Sequence, residues 1–165
     1  MIAWRLRLPT AMDTQGFGER LAGVLRAGDV LVLSGDLGAG KTTFTQGLGA
    51  GMGVRGPITS PTFVIARAYP PLSSVGMPLI HVDAYRLAGA LELDDLDLDA
   101  DVDAGVTVVE WGAGLAESLS TDRIEIDLTV DAETEERYAV ARLLLPDDQV
   151  QMVESVLNSL GGQRC

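Results

Sequence analysis

The stretch G-D-L-G-A-G-K-T at residues 35–42 decides the fold. It matches the pattern G-x-x-x-x-G-K-[ST], in which a glycine-rich turn joins a buried strand to a helix. The surroundings agree, because the apolar run D-V-L-V-L-S precedes the turn at 29–34 and residues 40–52 have a helical pattern. Glycines let the backbone point its N–H groups inward, where they and the helix N-terminus bind phosphate oxygens. The stretch therefore predicts a phosphate-binding loop, or P-loop, rather than an ordinary glycine-rich turn.

The loop and the first residues of the following helix supply the predicted nucleotide contacts. Lys41 is the only lysine in a chain that otherwise uses arginine, and it is expected to reach the β- and γ-phosphates. Thr42 is expected to give its hydroxyl to Mg²⁺. The expected contacts within this stretch are Asp36, Leu37, Gly38, Ala39, Gly40, Lys41, Thr42 and Thr43.

Outward from the loop, the apolar pattern predicts the remaining strands and helices. Helices between short apolar strands are typical of an α/β domain with a parallel sheet. We therefore predict one domain over residues 1–165 with the P-loop NTPase fold: three layers, a mostly parallel central sheet and a C-terminal antiparallel hairpin. The expected strands are 2–8 (an edge strand), 62–69, 79–83 and 106–110, the hairpin is 123–130 with 138–145, and the further helices are 13–27 and 147–160.

Two of the predicted strands end in a carboxylate. L-I-H-V-D ends at Asp83, and V-T-V-V-E ends at Glu110. In a parallel sheet both would reach the edge where the P-loop lies, and a P-loop site needs such an acid to hold Mg²⁺ or orient water. A helix cap or a solvent-facing residue is the alternative for each. His81 shares a strand face with Asp83 and is expected to be a structural histidine with a satisfied hydrogen bond.

The acid-rich run at 92–103 has a calcium-loop alternative. Counted from Asp99, acids fall at loop positions 1, 3 and 5, and Glu110 falls at position 12. Ala104 occupies position 6, where the turn needs glycine, and the flank 106–110 is strand-like. A solvated acidic connector or a surface that faces a partner is the favoured interpretation.

Composition limits the possible partners. The chain has 165 residues, 47% of them apolar, and a formal net charge of −12. This charge argues against direct binding of nucleic acid, whose phosphates select basic surfaces, and favours a protein partner. No apolar run is long enough to span a membrane, the start lacks a signal-peptide pattern, and the single cysteine, Cys165, excludes an intrachain disulfide. A cytoplasmic location is predicted.

The bound base is predicted to be adenine. Guanine-specific GTPases carry an N-K-x-D-type motif, and with Lys41 as the only lysine this motif cannot occur. No D-x-x-G follows the strand that ends at Asp83, where the chain reads D-A-Y-R. A small-molecule kinase remains an alternative, although no arginine cluster in a lid-like insertion supports it. A nucleotide-gated binding module with little turnover is a third possibility.

Four motifs in order give the chain a family resemblance. G-D-L-G-A-G-K-T-T-F (35–44), S-P-T-F (60–63), H-V-D-A-Y-R-L (81–87) and V-V-E-W (108–111) resemble the TsaE (YjeE) family over about residues 10–145. The resemblance implies a bacterial ATPase of tRNA threonylcarbamoyladenosine biosynthesis. It implies docking on the TsaD–TsaB heterodimer, which modifies adenosine 37 of tRNA, and an ATP hydrolysis that resets this complex between turnovers. Contact with tRNA would then be indirect.

The resemblance also assigns roles by position. It implies that Thr42 and Glu110 are the Mg²⁺ ligands and that Asp83 is a second essential acid. The remaining matches are residues near the nucleotide: Ser60 and Thr62 beside the γ-phosphate, Trp111 beside the site, and Arg137 with surface placement as its alternative. The chain departs from the family after Trp111, where it reads Gly-Ala-Gly, so no role is assigned to Glu117.

Overall fold

The computed structural model describes residues 1–60, 66–84, 99–110 and 120–165. Its strands and helices follow the predicted α/β order, with the P-loop between a buried strand and a helix. The strands are β1 (Ile2–Leu8), β2 (Val30–Ser34), β3 (Ala66–Tyr69), β4 (Leu79–Asp83), β5 (Val106–Glu110), β6 (Arg123–Val130), β7 (Arg137–Leu144) and β8 (Gln163–Arg164). The helices are α1 (Ala11–Ala22), α2 (Lys41–Met52), α3 (Asp99–Ala104) and α4 (Asp147–Ser159).

The described strands form one mixed sheet in the order β3-β4-β5-β2-β6-β7-β1-β8. The predicted α/β domain is confirmed, and its sheet is mixed: β4, β5, β2 and β6 run parallel to one another in its centre. The predicted hairpin is also confirmed, as β6 and β7 pair antiparallel over their full lengths. Outside the parallel centre all pairings are antiparallel, including β3 with β4 and β1 with β7.

The prediction that β1 is an edge strand is wrong. β8 pairs antiparallel with it, opposite Trp4 and Arg5, and the N–H of Cys165 donates to the carbonyl of Ala3 at 3.0 Å. A strand of two exposed residues leaves no alternating pattern to detect, because the backbone alone makes the pairing.

α1 begins and ends earlier than predicted. Thr10 caps it: the Thr10 hydroxyl accepts from the N–H of Asp13 at 3.2 Å, and the Asp13 carboxylate accepts from the N–H of Thr10 at 2.9 Å. This reciprocal capping box stabilises the first turn. The helix ends before Gly23, which is its C-cap, because glycine weakens helix continuation.

Alternation along the strands sorts side chains onto two faces of the sheet. One face carries Leu31, Leu33 and Leu79 and packs against α1 and α2 in the larger apolar core. The other face carries a smaller cluster that includes Val30, Val32, Ile80, Val82, Val109 and Val102 of α3. His81 and Asp83 share the face of Leu79, and Glu110 shares that of Val106 and Val108. The candidate acids therefore lie on the α2 side of the sheet.

Glycines bring α1 and α2 unusually close. A Cβ on Gly47 of α2 would lie 2.0 Å from the Gln15 carbonyl oxygen of α1, and one on Gly18 would lie 2.3 Å from the Phe44 carbonyl oxygen. Phe17 and Phe44 meet beside this contact, with ring centroids 5.1 Å apart at 62°. Because the backbones touch, α1 fixes the position of α2 and of the loop that precedes it.

The acid-rich run lies partly outside the described residues. Its last part forms α3, Asp99–Ala104, and a helix over these positions agrees with rejection of the calcium loop, which needs a sharp turn there. Residues 92–98 are not described. No helix in the described part of the chain combines the length and apolar character needed to cross a bilayer.

Candidate functional site

Glycine backbones shape the P-loop. Gly35, Gly38 and Gly40 have φ values of 146°, 82° and 109°, a region that side chains disfavour. At Gly35 the space is closed as well, because a Cβ would lie 2.4 Å from the Leu128 carbonyl oxygen of β6. The loop is tightened by the N–H of Ala39, which donates to the Asp36 carbonyl at 3.0 Å. The glycine pattern therefore determines both the turn and its close approach to the sheet.

The N-terminus of α2 faces into this loop. Gly40 is its N-cap and has no side chain to cap the helix, and the first intrahelical bond runs from the Phe44 N–H to the Gly40 carbonyl at 2.8 Å. The first turn contains no acidic residue. An anion such as phosphate suits a helix start of this kind, because N–H groups and the helix dipole both favour negative charge there.

Lys41 is buried within the loop, with 7% of its surface exposed. Its Nζ donates to the carbonyls of Gly35 at 2.7 Å and Asp36 at 3.1 Å. Burial lowers the pKa of Lys41, whereas the charges of Glu110, Asp36 and Asp83 act in the raising direction. The single lysine of the chain thus lies where phosphate and both predicted acids can interact with it.

Asp83 and Glu110 end neighbouring parallel strands at the same level. They are register partners, and Glu110 is also the partner of Leu33 in β2, close to the start of the P-loop. Glu110 is buried, with 3% exposed, so the solvent-facing alternative is wrong for it. Asp83 is half-buried. The topology brings both acids to the edge of the sheet where the P-loop begins.

The structure contradicts the expected hydrogen bond of His81. The ring is fully buried, and its Nε2 lies 3.3 Å from Glu110 Oε1. The distance is short enough for an ion pair, yet neither ring nitrogen completes a hydrogen bond, and Glu110 Oε1 has none either. The prediction failed because the nearest polar neighbour of His81 is Glu110 on another strand. The residues around His81 in the sequence do not indicate which side chain it faces.

Arg137 lies against the P-loop at the start of β7. Its Nη2 donates to the Gly38 carbonyl at a long 3.4 Å, and its Cδ is 3.3 Å from where a Cβ on Gly40 would stand. Arg137 is half-buried, so it is not a detached surface residue. Thr14 of α1, which the sequence analysis does not single out, touches the same place. Its methyl group would be 3.4 Å from a Gly40 Cβ, and its buried hydroxyl has no hydrogen-bond partner.

The other predicted site residues fall into three groups. Asp36, Gly38 and Leu37 are exposed on the loop, and Leu37 shows 95% of its surface. Thr42 and Thr43 are half-buried at the start of α2, and Ala39 is buried. Ser60 is exposed in the segment that follows α2, whereas Thr62 and Trp111 lie outside the described residues, as does Glu117, to which no role is assigned.

The residues at this edge fit a magnesium nucleotide. Glu110 is a buried carboxylate whose Oε1 has no hydrogen-bond partner, and a nearby cation would offset the cost of burying it. Within the described ranges, no three His, Cys, Asp or Glu side chains are grouped to hold a metal by themselves. Mg²⁺ in nucleotide sites typically takes one or two carboxylates and completes its shell with phosphates and water. Thr42 and Glu110 match this sparse donor set.

Known proteins resemble the chain over most of its length. The family model "Threonylcarbamoyl adenosine biosynthesis protein TsaE" matches residues 8–139. The Streptomyces coelicolor protein named tRNA threonylcarbamoyladenosine biosynthesis protein TsaE is 62% identical over 66% of this chain and 74% of its own length. The Mycobacterium tuberculosis protein of the same name is 49% identical over 80% of this chain and 82% of its own length. A crystal structure of Bacillus subtilis YdiB superimposes with a TM-score of 0.70 at 30% identity, covering 98% of this chain and 96% of that one.

Proposed function

The chain belongs to the TsaE family of threonylcarbamoyladenosine biosynthesis proteins, and from this premise we propose that it binds ATP with Mg²⁺ and hydrolyses it to ADP and phosphate. One observation carries the proposal. Lys41, Glu110 and Asp83 come from three separate elements: Asp83 is level with Glu110, and Glu110 is level with Leu33 just before the P-loop that ends at Lys41. A loop that bound phosphate only as a structural ligand would have no use for two acids at its edge.

Each group has a separate role in this proposal. The N–H groups of the loop and of the α2 N-terminus hold the phosphates, and Lys41 neutralises the β- and γ-phosphates. Thr42 and Glu110 hold Mg²⁺, which when bound neutralises charge on the transferred phosphate. Asp83 orients the attacking water, and the family resemblance assigns Ser60 and Thr62 to the γ-phosphate. Arg137 contacts the nucleotide from the β7 side of the loop.

We further propose that the site acts on a protein partner, the TsaD–TsaB heterodimer, in the cytoplasm. The family membership and the net charge of −12 support this. An acidic chain is poorly suited to hold the tRNA phosphate backbone, so tRNA would be reached through the heterodimer. ATP hydrolysis would then reset the complex between turnovers rather than transfer the threonylcarbamoyl group.

Phosphate release measured with the chain alone and with purified TsaD–TsaB tests both parts. The expected result is slow release from ATP with Mg²⁺, faster release when the heterodimer is added, and little release from GTP. Transfer of the γ-phosphate to a metabolite, with no effect of the heterodimer, would identify a kinase instead. Nucleotide binding with no release under either condition would identify a nucleotide-gated binding module.

A further inference from the structure

His81 is a buried polar residue to which the proposed ATPase chemistry gives no role. It stands on β4, two residues before Asp83, on the face that carries the acids. It is the single histidine of the chain, and none of its ring is exposed. A buried imidazole without hydrogen bonds is costly, because neither ring nitrogen regains the hydrogen bonds that it makes with water in the unfolded chain. A buried leucine would fill such a position without this cost.

The geometry ties His81 to Glu110. Nε2 lies 3.3 Å from Glu110 Oε1, and these are two of the few buried polar atoms in the described residues that lack a hydrogen-bond partner. The two residues are diagonal neighbours on adjacent strands, because Glu110 is level with Asp83 and His81 is level with Val108. The 3.3 Å separation is within the reach of a hydrogen bond, so Oε1 is an acceptor that an Nε2–H could use once the ring or the carboxylate reorients.

We propose that His81 is a positioning residue for Glu110. The N–H at Nε2 donates to Oε1, holds the carboxylate in one rotamer and directs Oε2 toward the magnesium nucleotide. This rests on the proposed function, in which Glu110 is a Mg²⁺ ligand. Groups that hydrogen-bond to metal ligands commonly fix their orientation, and their loss reduces metal affinity or activity about 10- to 100-fold.

The first test observes His81 directly in the wild-type protein without a histidine tag. Because the chain has one histidine, a long-range ¹⁵N–¹H correlation spectrum at neutral pH shows a single imidazole and reports which nitrogen holds the proton. We expect the Nε2–H tautomer, and we expect the Nε2 shift to move in Glu110→Gln. An Nδ1–H tautomer, or an imidazole signal that Glu110→Gln leaves unchanged, would overturn the proposal.

The second test replaces the ring. His81→Gln keeps an N–H donor at a comparable reach, whereas His81→Leu removes it and keeps the bulk. Affinity for a fluorescent ATP analogue is measured against Mg²⁺ concentration and, separately, in EDTA. We expect His81→Leu to raise the Mg²⁺ concentration for half-saturation about tenfold, with the affinity in EDTA unchanged and with most of the loss recovered in His81→Gln.

A matched control separates this effect from a general loss of buried polarity. Thr107→Val also removes a buried polar group without a partner, the Thr107 hydroxyl, but Thr107 lies on the opposite face of β5 from Glu110. It should leave the Mg²⁺ dependence as in the wild type. A folded His81→Leu with wild-type Mg²⁺ dependence, or equal losses in His81→Leu and His81→Gln, would refute the positioning role.

The two proposals can fail separately. If the wild-type protein hydrolyses ATP with Mg²⁺ but the His81 variants behave as it does, only the positioning role is wrong. If nucleotide binding by the wild type does not respond to Mg²⁺, the metal assignment of Glu110 fails. Even if His81→Leu does not fold, the spectrum of the wild-type imidazole still decides whether His81 donates a hydrogen bond from Nε2 to Glu110.

Discussion

The P-loop and the acidic edge of β4 and β5 meet at one site but are built in different ways. The P-loop is one continuous stretch, and its glycine backbones carry the geometry. The acidic edge exists only because parallel pairing brings Asp83 level with Glu110. Their buried charges also differ: Lys41 is satisfied by loop carbonyls, whereas Glu110 Oε1 has no hydrogen-bond partner. We therefore expect the loop to be preorganised and the acidic edge to depend on its ligand.

The largest effect should come from the loop side. Lys41→Ala removes the only lysine and the charge proposed to neutralise the β- and γ-phosphates, so phosphate release should fall roughly 1,000-fold, as when one preorganised donor to a developing charge is lost. Single-turnover release with saturating ATP measures this. Arg26→Ala is the matched control, because it also removes one positive charge but at the other end of β2 from the P-loop. Arg26 lies shortly before the first residue of β2 and pairs with Asp148 at 2.9 Å. Equal losses in the two variants would contradict a specific role of Lys41.

The next effect tests the acidic edge. Glu110→Gln keeps the size of the side chain but loses its charge, so Mg²⁺-dependent release should fall roughly 100-fold, near the lower end of the range for a lost electrostatic group. Nucleotide affinity in EDTA should change little. Asp83→Asn is the comparison, because it should lower release and leave the Mg²⁺ concentration for half-saturation close to wild type. The metal assignment would be wrong if Glu110→Gln weakened binding equally with and without Mg²⁺.

These two regions also differ in how far the sequence predicts them. The P-loop, its strand and its helix follow from residues 29–52 alone, since glycine, lysine and apolar positions sit at fixed local spacings. The strand ends at Asp83 and Glu110 were predicted as candidates, but residue spacing could not say how they meet. Their shared level is a property of strand order and register, which are set by the whole fold.

Other features are invisible in the sequence for physical reasons. The contact between His81 and Glu110 joins two strands, and the pairing of β8 with β1 uses only backbone groups. The helix packing is a further case. In the sequence, Gly47 is only a residue of low helix propensity. In the structure, its lack of a side chain makes room for the Gln15 carbonyl of α1. In each case the deciding neighbour is distant in sequence.

The close packing of α1 against α2, which positions the P-loop, should give a smaller effect, and this effect is on stability. Gly47→Ala would place a Cβ 2.0 Å from the Gln15 carbonyl oxygen, so α1 and α2 must separate and the free energy of unfolding should fall by about 1–3 kcal/mol. Gly16→Ala is the matched control on α1, because nothing lies within 4 Å of its Cβ position. It should stabilise the protein by roughly 0.5–1 kcal/mol through helix propensity. Urea unfolding of both variants measures the difference, and a stabilised Gly47→Ala would show that the helices adapt without strain.

The smallest effect shows whether the P-loop or the acidic edge has the larger influence on the pKa of Lys41. Burial in the loop lowers the pKa of Lys41 below its ordinary value of 10.5, while Glu110, Asp36 and Asp83 oppose this change. With a lowered pKa, the folded protein loses the proton before the unfolded chain does. The cost of burying the charge is then fully present at neutral pH, and it is relieved as pH rises from the lowered pKa toward 10.5.

The free energy of unfolding of the wild type, measured relative to Lys41→Met, should therefore rise with pH across this window. A relative stability that instead falls as pH passes 10.5 would mean that the pKa is raised, and that the acidic edge rather than the loop sets the charge state of the lysine.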